Sequence, residues 1–315
     1  MILPKKLTKG DTISIIAPSN PITGDRKFLL DNAIHKLEDA GFKTICASHC
    51  GKTDRFGVSG GEPHERADDL NKMFGDPTIN AIWCAHGGST ANQILPYIDW
   101  KIIRNNPKIF LGMSDIDVLH MAINKMTGLI TFHGSDPKSG RGLDLDLDYT
   151  WDCFKERLVG KQKHIVASSS RKTIRKGRAE GRIIGCNLSS ILKLAGTEYF
   201  PDFTDAILFL EGYKDDMRHT ICKLQQLEQI GVFKKIKGMV IGYVVGFQDE
   251  ELKEELQITS SFEDIILDIT KSSTFPIIKT NDFGHCSPNC FLPIGAPARI
   301  DTDRSNIDIT DHFLE

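Results

Sequence analysis

The sequence predicts an α/β protein: an N-terminal, mostly parallel sheet with flanking helices, followed by a smaller β-rich C-terminal domain. Three observations carry that reading. Short β-branched runs alternate with stretches of helical length and period through about residue 133, the pattern of βαβ crossovers in a parallel sheet. The alternation then breaks into a polar, turn-rich connector from 135 to about 178. Finally, 315 residues are enough for two domains of roughly 100–200 residues, each burying its own core. The division is placed at 1–165 and 166–315.

The first strand is 12–17 (TISIIA), stopped by the turn cluster Pro18-Ser19-Asn20. Phe28, Leu29, Ala33, Ile34 and Leu37 recur near helical spacing over 28–40, and Gly41 supplies the stop. A second strand at 44–47 precedes a charged helix at 62–74. The third strand, 79–85, leads into Gly87-Gly88 and a helix through Leu95. The fourth, 108–112 (KIFLG), runs straight into Ser114-Asp115 and an almost wholly apolar helix at 116–126. The fifth is 129–132. One helix near 151–158 interrupts the connector. Beyond it come strands at 179–184, 206–210 (AILFL), 238–245 (GMVIGYVV) and 276–278. Helices near 216–230 and 262–269 and a β-rich segment from 298 onwards complete the chain.

Composition excludes several classes. Hydrophobic residues at 40% and charged ones at 26% argue against disorder. A net charge of -3 lacks the basic footprint of a nucleic-acid binder. No apolar run approaches the ~20 residues that span a bilayer, so neither nucleic acid nor membrane is expected as a partner. The N-terminus shows no secretory apolar region. Eight cysteines without such a signal are expected as reduced thiols in a cytoplasm.

Several positions could carry chemistry. Ser114 sits on a sharp turn between a buried strand and a buried helix, where the Asp115 N–H opens the helix toward developing negative charge. This is the logic of a nucleophile elbow, with Ile116 filling the last place of G-x-S-x-G; Ser and Asp are equally ordinary helix caps. Glu211 directly follows AILFL, at the carboxyl end of a strand where open sheets place functional groups, or it is a strand-ending carboxylate facing water. His285, on the loop after Phe283-Gly284, suits a base. His86 and His133 end strands near the same sheet edge. Gly87-Gly88 permits close backbone approach for an oxyanion donor, or is a plain tight turn. Cys46, His49 and Cys50, and His285, Cys286 and Cys290, have spacings that zinc would allow, but Cys46 alternates in its strand like a small buried hydrophobe. No metal is expected.

Taken together, the blocks LTKGDTISIIAPSNPI, AIWCAHGGSTANQILPYIDW, KIFLGMSDIDVLHMAINKMTGLITFHGS, GRIIGCNLSSILKLAGTEYFPDFTDAILFLEG and NDFGHCSPNCFLPIGAPARID resemble the LD-carboxypeptidase family of serine peptidases. That family includes muramoyl-tetrapeptide carboxypeptidases and microcin C self-immunity proteins. The resemblance implies a catalytic triad of Ser114, Glu211 and His285. It implies an oxyanion hole from the backbone of Asp115, Gly87 and Gly88, no cofactor, and a homodimer. It also implies hydrolysis of an L–D amide that releases a terminal D-amino acid from a murein-type tetrapeptide. The same chemistry would serve a microcin-immunity-like hydrolase acting on peptidyl- or aminoacyl-nucleotide conjugates; a connector aromatic would then stack on the base, and Trp151, the one tryptophan there, reads more readily as helix core. A peptide-binding protein without catalysis is a third reading.

Departures from the family pattern are Gly185-Cys186-Asn187, Gly212 after the triad Glu, and His133-Gly134-Ser135. They bear on substrate contacts and not on triad positions. A carboxylate grip is expected from Arg55, Lys138 or Arg141, since a basic side chain must hold the substrate's free end.

Overall fold

The computed structural model describes residues 1–140, 144–247 and 260–315. The strands are β1 (Thr12–Ile16), β2 (Lys43–Cys46), β3 (Ala81–Cys84), β4 (Ile109–Gly112), β5 (Thr131–His133), β6 (Lys172–Arg175), β7 (Arg178–Asn187), β8 (Ala206–Tyr213), β9 (Gly238–Val245), β10 (Ile277–Lys279), β11 (Leu292–Ile294), β12 (Pro297–Asp301) and β13 (Asn306–Ile309). They form two sheets, in the orders β11-β5-β4-β3-β1-β2 and β13-β12-β7-β8-β9-β10-β6. In the first sheet every pairing is parallel except that of the edge strand β11. In the second, β7, β8, β9 and β10 are parallel and the flanking strands antiparallel.

Helices cover the sheets because each parallel pairing needs a crossover that carries the chain back to the starting end of the strands. They are α1 (Asp25–Asp39), α2 (Pro63–Gly75), α3 (Trp100–Asn105), α4 (Asp117–Thr127), α5 (Asp148–Leu158), α6 (Leu188–Lys193), α7 (Met217–Gln229), α8 (Val232–Lys235) and α9 (Phe262–Ile269). Their ends follow local chemistry. Pro63 opens α2 beside a Glu62–Glu65 capping box. Gly128 closes α4 in the left-handed conformation at φ 80°. β3, β4 and β5 are buried along their whole length, as strands covered on both faces must be. α5 is held against the first sheet by a stack of Trp151 on Phe154 and Phe154 on Trp83, both at 5.3 Å between ring centroids.

The sequence reading differs from this at identifiable places. The expected helix through Leu95 is a 3-10 segment, Ala91–Tyr97, which contains Pro96; proline forbids a regular ladder there. Cys46 is exposed, because β2 is the sheet's edge and has β1 alone as neighbour. β8 continues through Glu211 to Tyr213. β6, β11, α3, α6 and α8 lie outside the elements expected from the sequence. β11 is three residues with a central proline, and a strand of that kind is tolerated only at an edge. It also draws a C-terminal segment into the first sheet.

His120, fully buried on α4, donates from Nε2 to the Gly112 carbonyl at 3.0 Å and so pins the end of β4. Burial pushes its pKa down from 6.5 to about 4. A depressed folded-state value leaves full stability above the unfolded pKa and loses it as pH falls from about 6.5 through 4, by about 3 kcal/mol in all. His120→Gln keeps a donor without the titration. Urea unfolding of this variant is expected to show a flatter stability profile across that window; an unchanged slope would assign the acid sensitivity elsewhere.

Candidate active site

Both sheets direct the carboxyl ends of their parallel strands toward one cleft of about 690 Å³, the position open α/β sheets reserve for ligands. β4 delivers Ser114, β8 delivers Glu211, and the loop after β10 delivers His285. Ser114 Oγ lies 2.8 Å from His285 Nε2, and His285 Nδ1 lies 2.7 Å from Glu211 Oε2. Since a carboxylate can only accept, Nδ1 carries the proton and Nε2 is free to accept from the serine.

Each side chain is held by its surroundings. Ser114 has φ 66°, a left-handed conformation that costs a non-glycine residue roughly 1–3 kcal/mol and collects at functional sites. The turn is tight: a Cβ on Gly112 would stand 2.7 Å from Ile116 Cγ2, which is why Ile116 can occupy the place usual for glycine. The Ser114 carbonyl accepts from Ser190 Oγ at 3.0 Å. Glu211, fully buried, takes its second hydrogen bond from Asn187 Nδ2 at 2.7 Å, so it does not face water. His285 follows Gly284 at φ 118°, whose N–H donates to Asn289 Oδ1 at 2.8 Å. The loop's base is fixed by Asp282, which accepts from Arg171 Nε and Nη2 at 2.9 and 2.8 Å and from the Ser168 N–H at 2.7 Å. The basic, hydroxyl-rich connector thus anchors this loop.

The neighbouring carboxylates join the sheets. Asp115 Oδ2 accepts from Ser19 Oγ at 2.6 Å and from the Ala91 N–H at 2.7 Å, while its Oδ1 pairs with Lys193 of α6. Asp117 Oδ1 accepts from His133 Nδ1 at 2.7 Å and its Oδ2 from the Asn187 N–H at 2.8 Å. Burial alone would lower the His133 pKa, but the Asp117 carboxylate, together with the charges of Glu211 and Asp136, raises it. Gly87 abuts the Ser114 turn: a Cβ there would stand 3.0 Å from Ser114 Oγ and 3.3 Å from the Asp115 nitrogen. Gly88, at φ 150°, faces Asn20 and Ser19 too closely for any side chain.

Of the remaining candidates, His86 Nδ1 lies 2.9 Å from Asp136 Oδ2 at the cleft wall. Lys138 also faces the cleft, 3.4 Å from Asp144 and 3.8 Å from Asp136. Arg55 is exposed, 3.7 Å from Glu62, and does not line the cleft. Arg141 lies outside the described residues. Arg26 and Lys193, not singled out from sequence, do line it. The cysteine pairs are not arranged as ligand sets: Cys50 Sγ donates to the Ile15 carbonyl, and His49 Nδ1 pairs with Asp69 at 2.7 Å. Among the described residues the trio close enough for a shared ion is Asp117, His133 and Cys186, where both Asp117 oxygens already serve protein donors.

Comparison with known proteins gives the family. Residues 13–134 match the model of the LD-carboxypeptidase N-terminal domain, and residues 180–300 that of the C-terminal domain. The chain belongs to the LD-carboxypeptidase family. It is therefore, by class, a serine-type carboxypeptidase hydrolase. Among members of this family it is 33% identical over 302 residues to a probable murein peptide carboxypeptidase of Bacillus subtilis, covering 95% of this chain and 91% of the relative. It is 29% identical to the microcin C7 self-immunity protein MccF of Escherichia coli, covering 99% and 97%. A solved structure of MccF in complex with glutamyl sulfamoyl guanosine superimposes with a TM-score of 0.90 at 27% identity over the whole of both chains.

The Lys193–Asp115 pair crosses from the second sheet's helix to a fully buried carboxylate. Lys193→Met is expected to cost about 2 kcal/mol in urea unfolding at pH 7, because the charge left behind keeps only neutral donors. A loss below about 0.5 kcal/mol would place the pair with ordinary surface ion pairs.

Proposed function

We propose that the protein is an LD-carboxypeptidase that releases a C-terminal D-amino acid from murein-type tetrapeptides. The observation that carries this is the unbroken chain from a strained Ser114 through His285 to Glu211. Ser114 Oγ attacks the scissile carbonyl as His285 Nε2 takes its proton. Glu211 holds the imidazole's tautomer and offsets its positive charge, and the imidazolium then protonates the leaving amine. The oxyanion sits beside Gly87, where the absent side chain leaves room, and is met by the N–H groups of Asp115 and the Gly87-Gly88 turn. One such donor contributes about 2.7–4 kcal/mol to transition-state stabilisation.

A carboxypeptidase also needs a cation for the free carboxylate. Lys138 is neutralised between two aspartates and Lys193 by Asp115. Arg26 lines the cleft with no carboxylate partner among the described residues, so its guanidinium is best placed to bind the substrate's end bidentately.

A second reading, hydrolysis of aminoacyl-nucleotide conjugates, is supported by the 0.90 TM-score to MccF. Against it stands Trp151, whose ring stacks on Phe154 and lies beneath Lys36 Nζ at 5.1 Å, leaving it poorly placed for a base. Purified protein offered an LD-tetrapeptide beside an aminoacyl sulfamoyl adenosine is expected to turn over the peptide; the reverse preference would replace the first reading by the second.

Single substitutions test the mechanism. Ser114→Ala and His285→Ala are expected to lower kcat by on the order of 10⁶-fold and Glu211→Gln by about 10⁴-fold, with doubles little worse than the worst single. Near wild-type turnover by Ser114→Ala, with thermal unfolding unchanged, would refute the serine mechanism.

A further inference from the structure

Tyr213 lies two residues beyond Glu211 on β8, and strand alternation therefore puts both on one face. Glu211 meets the imidazole of His285 at its Nδ1 edge. Tyr213 meets its face: the two rings are stacked with centroids 4.1 Å apart and planes 10° from parallel. Its pairing with β9 steps from Leu210 opposite Ile241 to Gly212 opposite Val244, so the extra residue of this bulge lies on β9 and β8 keeps its alternation through Glu211 and Tyr213. The following residue, Lys214, has φ 53°, another left-handed non-glycine backbone. Its N–H is tied to the Val245 carbonyl at 2.7 Å, and Gly246 opposite leaves it room: a Cβ there would stand 3.1 Å from Lys214 Cα.

We propose that Tyr213 is a positioning residue for His285, fixing the plane in which the imidazole bridges Glu211 and Ser114 and favouring the imidazolium that forms in the transition state. This rests on the reading of Ser114, Glu211 and His285 as the catalytic residues. The ring's π-face attracts a cation within about 6 Å, and His285 is cationic only after it has taken the serine proton. The stabilisation is therefore larger in the transition state than in the ground state and acts on kcat. Because the hydroxyl has no part in it, any aromatic of similar shape should serve.

The test compares Tyr213→Phe and Tyr213→Leu with the wild type in two assays: turnover of an LD-tetrapeptide, and the rate at which a serine-directed fluorophosphonate labels Ser114. Tyr213→Leu is expected to lose roughly tenfold in kcat and in labelling rate with KM nearly unchanged, while Tyr213→Phe stays within about twofold. Tyr213 is 38% exposed, so both variants should fold, which thermal unfolding verifies. The inference is overturned if the leucine variant labels as fast as wild type, if the phenylalanine variant loses as much as leucine, or if the loss falls in KM alone, which would make Tyr213 a substrate contact. A wild type that is labelled at Ser114 but ignores the tetrapeptide would sink the substrate assignment and leave this inference to the labelling rates. A wild type that is never labelled removes the triad reading and this inference with it.

Discussion

A carboxylate taken out of water loses several kcal/mol of hydration unless donors replace it. Asp115 and Asp117, two residues apart at the entry to α4, are both withdrawn from solvent. Each finds donors from both halves of the chain: Asp115 from Ser19 and Ala91 on one side and Lys193 on the other, Asp117 from His133 and from the Asn187 N–H. Neither half alone satisfies them. The need to pair these two charges therefore fixes how the strand end bearing Ser114 meets the strand ends bearing Asn187 and Glu211, and the rest of the site inherits that placement.

Asn187 is the joint through which the placement passes. Its backbone N–H donates to Asp117, its side-chain Nδ2 to Glu211, and its side-chain Oδ1 accepts from the Ser190 N–H at 3.0 Å. Thus the second carboxylate oxygen of Glu211, the one His285 does not use, is tied back to the turn that presents Ser114. Serine and glutamate come from different sheets, yet their separation is set by this short run of hydrogen bonds.

Much of this was readable in the residues and some was not. The alternation of β-branched runs with helical stretches located β1 to β5 because parallel strands buried on both faces leave continuous apolar runs. Ser114 was legible for the same reason: a buried strand that meets a buried helix with no loop forces a sharp turn. Glu211 was legible as a carboxylate following the apolar run 206–210, but neither the strand's continuation to Tyr213 nor its burial was, since the donor from Asn187 is 24 residues away. The sequence likewise gave no hint that Ser168 and Arg171 secure the His285 loop through Asp282, because those partners meet across more than a hundred residues. Lys193 escaped notice on a six-residue helix too short to show a period, and Tyr213 because its role depends on a ring face and not on a motif.

The site also concentrates the structure's unfavourable local terms. Among the described residues, the buried polar atoms without a hydrogen-bond partner include those of Thr131, His133, Ser135 and Asp136, all on β5 and its exit, and His120 Nδ1 on α4. Ser114, Cys186 and Lys214 add positive φ at non-glycine positions next to the same cleft. Unpaired buried groups and strained backbone each cost stability, and they cluster where sequence choices serve geometry over local preference. What offsets them lies outside the cleft. The first sheet's central strands have no exposed side chain, and Phe154 of α5 packs ring against ring with Trp83 and Phe291. A rigid apolar scaffold of this kind can hold a strained turn and an incompletely paired polar wall in place, because relaxing either would require moving strands that are packed on both faces.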